Sequence, residues 1–440
     1  MQKIIKALRF ELWGLALIGL ALVLYSARAQ ALTTTFSRIS VDGSGTQSNN
    51  HSNNHSASYD GRYVAFMSEA SNLVASDTNG TQDLFVKDTV GGSVERVNLT
   101  SAGAQFTGNY TVYEPFISGT GRYVAFSTNS NQIYTSIYHT GIEAYLYDTV
   151  TDTTSMVSQI SGTEGNGHSY VRSVSVDGRF VLIQSAATNF VASDTNGQYD
   201  LFVKDMVTGQ FTTVNQNASG NPAGYVGGTA DLNCDGSLVA YSSFSTTVVD
   251  SDASSNISSQ SDIFLADLRN GYKNTNVTKG GNNESSIPSI SCDGSAIAFE
   301  SLATNLAGSD TNSRRDIYWY GVVDKNFKNA STTSGGTLAN SDSNEPNISE
   351  FGDYVVFASP ASNLDGTAGS VTSSQIYLKN VKSGAVDLIS REQDNTATSY
   401  ASINASVSFD GKVAHFETED GNVVPSDTNA KYDIFKVTIN

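Results

Sequence analysis

The sequence predicts an all-β chain of repeated four-stranded units closed into one ring. Three observations carry this expectation. One short segment recurs seven times at near-constant spacing; strand-forming runs bounded by Gly, Asn and Asp surround each copy; and the last copy lacks a fourth strand that the start of the chain can supply. Composition excludes the alternatives. At 10% aromatic the chain is too rich in Phe, Tyr and Trp to stay disordered, its 38 Gly are too few for collagen, and 2 Cys cannot make a disulfide-dense scaffold. Charged residues make up only 15%, below the ~25% of an average soluble domain, and Ser, Thr, Asn and Gly fill the difference.

Residues 1–29 read as an export signal. Lys3, Lys6 and Arg9 form a basic start, Leu12 to Tyr25 is an almost unbroken apolar run, and Ala27-Arg28-Ala29 and Ala29-Gln30-Ala31 are small-x-small cleavage patterns. The alternative is an uncleaved anchor, but the run falls short of the ~20 residues a membrane helix needs. No cysteine at the cleavage site suggests a lipid anchor, and no later stretch is long and apolar enough to span. The expected location is the periplasm or the exterior. Losing residues 1–29 removes four cations (Lys3, Lys6, Arg9, Arg28) and one anion (Glu11), moving the formal charge from −18 to −21. Such a surface repels phosphate backbones and argues against nucleic acid as a partner.

Residues 30–440 carry the repeats. Tyr59-Asp60-Gly61-Arg62-Tyr63-Val64-Ala65-Phe66 returns as Gly121-Arg122-Tyr123-Val124-Ala125-Phe126 and, more divergently, after positions 177, 235, 293, 351 and 410. Successive anchors (60, 120, 177, 235, 293, 351, 410) lie 60, 57, 58, 58, 58 and 59 residues apart. Each unit reads as four strands. Strand A ends at the Asp-Gly turn, and strand B is the Tyr-Val-Ala-Phe segment. Strand C opens on an aspartate (Asp83-Leu84-Phe85-Val86-Lys87-Asp88), and strand D follows a Gly turn (Val94-Glu95-Arg96-Val97-Asn98). Nearly continuous apolar strands suit sheets covered on both faces. The seventh unit stops after strand C at Asp433-Ile434-Phe435-Lys436-Val437-Thr438. Phe36-Ser37-Arg38-Ile39-Ser40 resembles a strand D, so the N-terminal strand is expected to complete the last blade. The predicted fold is a single seven-bladed β-propeller with four antiparallel strands per blade, closed so that no edge remains.

The Asp-Gly-Arg-Tyr-Val-Ala-Phe and Asp-Leu-Phe-Val-Lys-Asp segments resemble the TolB-type, WD-like propeller repeat of exported bacterial proteins. The resemblance covers the whole chain after the signal segment. It implies an envelope or extracellular setting and a protein- or ligand-binding role, without implying one activity. TolB itself carries an α/β domain ahead of six blades; here the repeats start directly and number seven.

Four B–C loops share a pattern of oxygen ligands: Asp77, Asn79 and Asp83; Asp194, Asn196 and Asp200; Asp310, Asn312 and Asp316; Asp427, Asn429 and Asp433. Carboxylate, amide and backbone oxygens at positions 1, 3, 5 and 7 can wrap calcium. The competing reading is an Asx-turn that satisfies local amides. A second candidate is a ring nine residues before each anchor, where His51, His168, Glu284 and Asp342 would converge at the channel mouth for metal or acid–base chemistry; the competing reading is solvated loop. The second unit is aberrant, with Gln132-Ile133-Tyr134-Thr135-Ser136-Ile137-Tyr138-His139 in place of the Asp-Thr-Asn loop, open either to stacking on a ligand or to core packing. Cys234 and Cys292, equivalent in units four and five, are a disulfide pair or two small buried thiols. The expected function is an exported, monomeric, non-catalytic scaffold for an envelope or extracellular protein or glycan, with calcium as a stabilising ion. The alternatives are a glycan lyase or hydrolase using the channel mouth and a calcium-dependent surface adhesin.

Overall fold

A computed structural model describes residues 34–134, 141–248, 260–269, 272–308, 310–366 and 373–440. The proposed signal segment lies outside the described residues, as do Thr135 to His139 of the aberrant loop. Every described element is a strand. Seven four-stranded antiparallel sheets form the blades of a β-propeller. In blade one, strands A to D are Ser52–Ala57, Tyr63–Ser68, Asp83–Asp88 and Val94–Arg96.

The ring closes as the repeat count requires. Blade seven contains Ser402–Val407, Val413–Thr418 and Asp433–Ile439, and its outer strand is Thr34–Arg38 from the start of the chain. Thr34 pairs with Ile439, Phe36 with Val437 and Arg38 with Phe435. The core is continuous across this seam, where Ile39 and Ile434 pack with Val64, Phe66 and Phe85 of blade one.

The repeated residues explain the packing. Strands B and C place aromatic rings directly opposite one another in six blades, as in Phe66–Phe85, Phe126–Tyr145 and Phe357–Tyr377, with centroids 5.8–5.9 Å apart. Such pairs add ~0.5–1.5 kcal/mol each beyond their buried area. The Asp-Gly turn has two reasons for its glycine. Gly121 and Gly178 have φ of +77° and +73°, and a Cβ there would lie 2.2–2.3 Å from the ring of Tyr63 or Tyr123 in the preceding blade. The glycine is therefore the seat for the first aromatic of the neighbouring strand B.

Neighbouring blades are also stitched at these inner turns. Val176 N–H donates to the Cys234 carbonyl, Cys234 N–H to the Cys292 carbonyl and Phe409 N–H to the Tyr59 carbonyl. Cys234 and Cys292 lie in this seam between blades four and five, with Cα atoms 4.6 Å apart and sulfurs at bonding distance.

Candidate functional site

Strand A lines the axis, and its irregularity builds a pocket there. In blades one, five, six and seven a register shift interrupts strand A, and the residue six before the anchor turns to positive φ: Asn54, Ile287, Glu345 and Asn404, at 49–55°. A β-branched residue such as Ile287 avoids this region, so its presence marks a backbone held by its surroundings. β-Bulges of this kind re-aim side chains next to functional sites. The resulting cavity encloses about 430 Å³ and is lined by Asn54, His55, Glu114, Arg172, Ile287, Glu345 and Asn404 among others. Tyr59 also lines it, reaching from blade one to bring its hydroxyl 2.7 Å from Cys234 Sγ of blade four.

The polar groups of the pocket are connected. Glu417, fully buried on strand B, holds His55 Nδ1 at 2.8 Å and accepts from the Asn404 amide at 3.0 Å. Asn404 N–H donates to Glu345 and Glu345 N–H to Glu300, at 3.2 and 3.3 Å. The other ring nitrogen of the buried His55 side chain, Nε2, lies 3.3 Å from Ser406 Oγ. Glu114 is solvent-exposed within the pocket yet surrounded by protein on most sides. The loss of bulk water raises its pKa, against the pull of Arg172. Buried His415 stays neutral, its pKa pushed well below the ordinary value by desolvation and by His55. This arrangement can donate and accept several hydrogen bonds to a small polar ligand, with His55 fixed in place by Glu417.

The four mouth residues do not meet on the axis. His51 Nδ1 accepts from Tyr432 N–H at 3.1 Å, His168 Nδ1 from Ile142 N–H at 3.0 Å and Asp342 Oδ1 from Arg315 N–H at 3.1 Å. Each clips the entry to strand C of the preceding blade, and Glu284 pairs with Arg315 at 3.0 Å. Among the described residues no three His, Cys, Asp or Glu side chains gather as a metal-ligand set. In the aberrant loop Tyr134 packs inward, stacking on Tyr145 and donating to the Thr154 carbonyl.

In the Asp-Thr-Asn loops, each asparagine oxygen accepts a backbone N–H two residues on: Thr81 for Asn79, Gln198 for Asn196, Arg314 for Asn312 and Lys431 for Asn429. Each asparagine amide donates to the last aspartate, at 2.9–3.2 Å. This is Asx-turn geometry. A buried guanidinium also enters two of the sites. Arg96 lies 3.1 Å from Asp77 and 3.3 Å from Asp83; Arg38 lies 3.3 Å from Asp427 and 3.5 Å from Asp433. Both arginines come from strand D, outside the loop motif: Arg96 follows its loop within the same unit, whereas Arg38 reaches Asp427 and Asp433 from the opposite end of the chain.

Burial of acids gives the molecule a pH signature. Desolvation raises Asp316 from 3.8 to about 6 and Glu143 from 4.5 to about 7. A raised acid favours the fold while protonated. That stabilisation is complete below about pH 4 and is lost as pH rises through 6 to 7. Asp88, Asp148 and Asp205 run the other way, their pKa values lowered by paired arginines, and penalise the fold only under stronger acid; His415, held neutral by burial, also opposes the trend below its ordinary value of 6.5 and offsets part of the gain from the two raised acids. The melting temperature is therefore expected to be higher at pH 5 than at pH 8, and Glu143→Gln should flatten the slope. Melts across this range check it; a melting temperature that climbs steadily from pH 5 to 8 would refute it.

No family model matches the chain, and no curated protein matches it. Solved structures do. An oligogalacturonate lyase in complex with manganese is similar over 93% of this chain and 94% of that one, at 14% identity and a TM-score of 0.54. A prolyl endopeptidase is similar over 89% of this chain and 50% of its own, at 12% identity and a TM-score of 0.53. TolB from Acinetobacter baumannii is also similar, at 16% identity and a TM-score of 0.39, over 69% of this chain; the match spans 58% of the TolB chain. At these identities the likeness is one of fold.

Proposed function

We propose that this chain is an exported, non-catalytic binding scaffold that takes the end of a neutral or basic glycan in its axial pocket. The observation that carries this reading is the pocket itself: about 430 Å³ of space lined by Glu114, Arg172, Glu345 and Asn404, the last two at strained positions of strand A. Carboxylates, an amide and a guanidinium are the groups that hold sugar hydroxyls, and few precisely placed polar groups in a concave site are what small-ligand recognition uses. Glu114 and Glu345 outnumber Arg172, and the whole chain carries −18, so a polyuronate would be repelled where a neutral or amino sugar would not. Export is supported by the basic, apolar and small-x-small segments of residues 1–31 and by a cysteine pair placed for oxidation.

The test is calorimetric titration of the chain from residue 30 with neutral, amino and uronic oligosaccharides. Binding of the first two classes is expected. Arg172→Ala and Glu345→Gln should each weaken it ~10- to 100-fold, the loss of one charged hydrogen bond, with the fold intact by circular dichroism. Absence of binding across the neutral and amino panel, or binding indifferent to both substitutions, would end this reading. One observation favours a second, hydrolytic reading: Glu417, His55 and Ser406 form an acid–imidazole–hydroxyl chain beside the pocket. The binding reading ranks first because Ser56 and Ser289 occupy the same repeat position as Ser406, and there the hydroxyl accepts an N–H of the next blade. Cleaved oligosaccharide in the same incubations, lost in Ser406→Ala, would reverse that order.

A further inference from the structure

The four Asp-Thr-Asn loops present the same aspartate oxygen to the same place, and what meets it differs. In blade one, Asp77 Oδ2 meets Arg96; in blade seven, Asp427 Oδ2 meets Arg38. In blade five, Asp310 Oδ2 meets the Tyr318 hydroxyl at 3.2 Å, and the aspartates share a hydrogen bond. In blade three, Asp194 is only 5% exposed, and its Oδ2 has no hydrogen-bond partner among the described residues.

The strand register explains the difference. Arg96 stands opposite Phe85, and the equivalent residue opposite Phe202 is Thr213. Gln105, which donates to Asp77 at 2.8 Å in blade one, is replaced by Pro222, as the matching bridges Leu99–Gln105 and Gln216–Pro222 show. Phe202 likewise lacks the hydroxyl that Tyr318 supplies in blade five. Blade three thus retains both carboxylates and none of the three groups that satisfy them elsewhere. Burial and repulsion from Asp200 both push the Asp194 pKa up. Asp200 Oδ1 is satisfied by the Asn215 amide at 2.6 Å and Gly224 N–H at 2.7 Å, while its Oδ2 receives only the Asn196 amide at 2.9 Å.

We propose that the space between Asp194 and Asp200 binds one calcium ion, which does in blade three what a guanidinium does in blades one and seven. Two carboxylates match the charge of a divalent ion and offer it oxygen, Asp194 Oδ2 and the remaining lone pair of Asp200 Oδ2, while the short, buried Thr213 stands at the register position that Arg96 fills in blade one. The proposal is independent of the axial pocket and covers blade three alone, because the other three loops carry their own donors.

The experiment uses the chain from residue 30, melted in chelator and in millimolar calcium, with calcium binding followed by calorimetry. One calcium per chain and an upward melting shift of roughly 3 °C are expected. Thr213→Arg supplies the guanidinium from within. It should melt above the unsubstituted chain in chelator and lose the calcium response. Asp194→Asn, an isosteric change, should lose the response without added stability from calcium. The proposal fails if the unsubstituted chain neither binds calcium nor shifts. It fails equally if Asp194→Asn folds and keeps the full response.

Discussion

A chain beginning at residue 49 is expected to lose its cooperative thermal transition and to elute as oligomers. The segment it lacks supplies the outer strand of blade seven, and with it nearly every partner of two buried acids. Asp433 accepts from Ser40, from Ser48 at 3.0 Å and from Gln47 at 3.0 Å, and Arg38 neutralises it together with Asp427. Only the Asn429 amide would remain to Asp433. The deletion also removes the ladder that Thr34 to Arg38 makes with Phe435 to Ile439 and the Ile39 side chain from the apolar seam with blade one. Set against a typical total stability of ~5–15 kcal/mol, losing an outer strand and its seam packing together suffices to open the ring. The exposed edge of Asp433–Ile439 would then recruit other chains. Size-exclusion chromatography and a circular-dichroism melt check both halves, and a synthetic peptide of residues 34–48 should restore the monomer. A truncated chain that stays monomeric and melts like the full one would show that closure by this strand does not hold the ring.

That closing strand was legible in the sequence because it repeats: Phe36-Ser37-Arg38-Ile39-Ser40 matches a strand D, and only one unit lacked one. The Asp-Gly anchors were legible for the same reason, since Gly61, Gly121 and Gly178 all meet the same steric demand from a neighbouring strand. The axial pocket was not. Its lining takes Asn54, Glu114, Arg172, Thr229, Ile287, Glu345 and Asn404 from the seven blades, so no motif repeats. The signal available there was of another kind: polar residues on an innermost strand, followed by Pro115, Pro288 and Pro346, where ladder pairing demands an N–H. The mouth ring shows the converse. His51, His168 and Asp342 are equivalent in the repeat, yet equivalence turned each towards its own neighbouring blade and not towards the axis. A repeat fixes what recurs around the ring; a site on the axis is made by what differs between copies.

Arg96→Met is expected to destabilise the fold by about 3–5 kcal/mol, the largest single-residue effect outside the closing seam. The side chain is almost fully buried between Asp77 and Asp83, at 3.1 and 3.3 Å, with its guanidinium carbon 5.9 Å from the Phe85 ring. Loss of the charge, and not of volume, is what the substitution tests. Methionine already occupies this position in blade two, where Met156 stands opposite Tyr145 as Arg96 stands opposite Phe85. Blade two accepts it because Glu143 is held there by the Ser158 hydroxyl, with its pKa raised towards neutrality. In blade one, two acids would be left facing each other. Asp77→Asn in the Arg96→Met background should therefore recover at least half of the loss, although Asp77→Asn alone destabilises. Denaturant melts of the four proteins give the coupling energy directly, and a value of ~1–3 kcal/mol is expected. Costs that simply add would mean that Arg96 acts through its stem packing on Phe85 and not as the cation of the site. The guanidinium of blade one would then be no guide to what Asp194 and Asp200 hold in blade three.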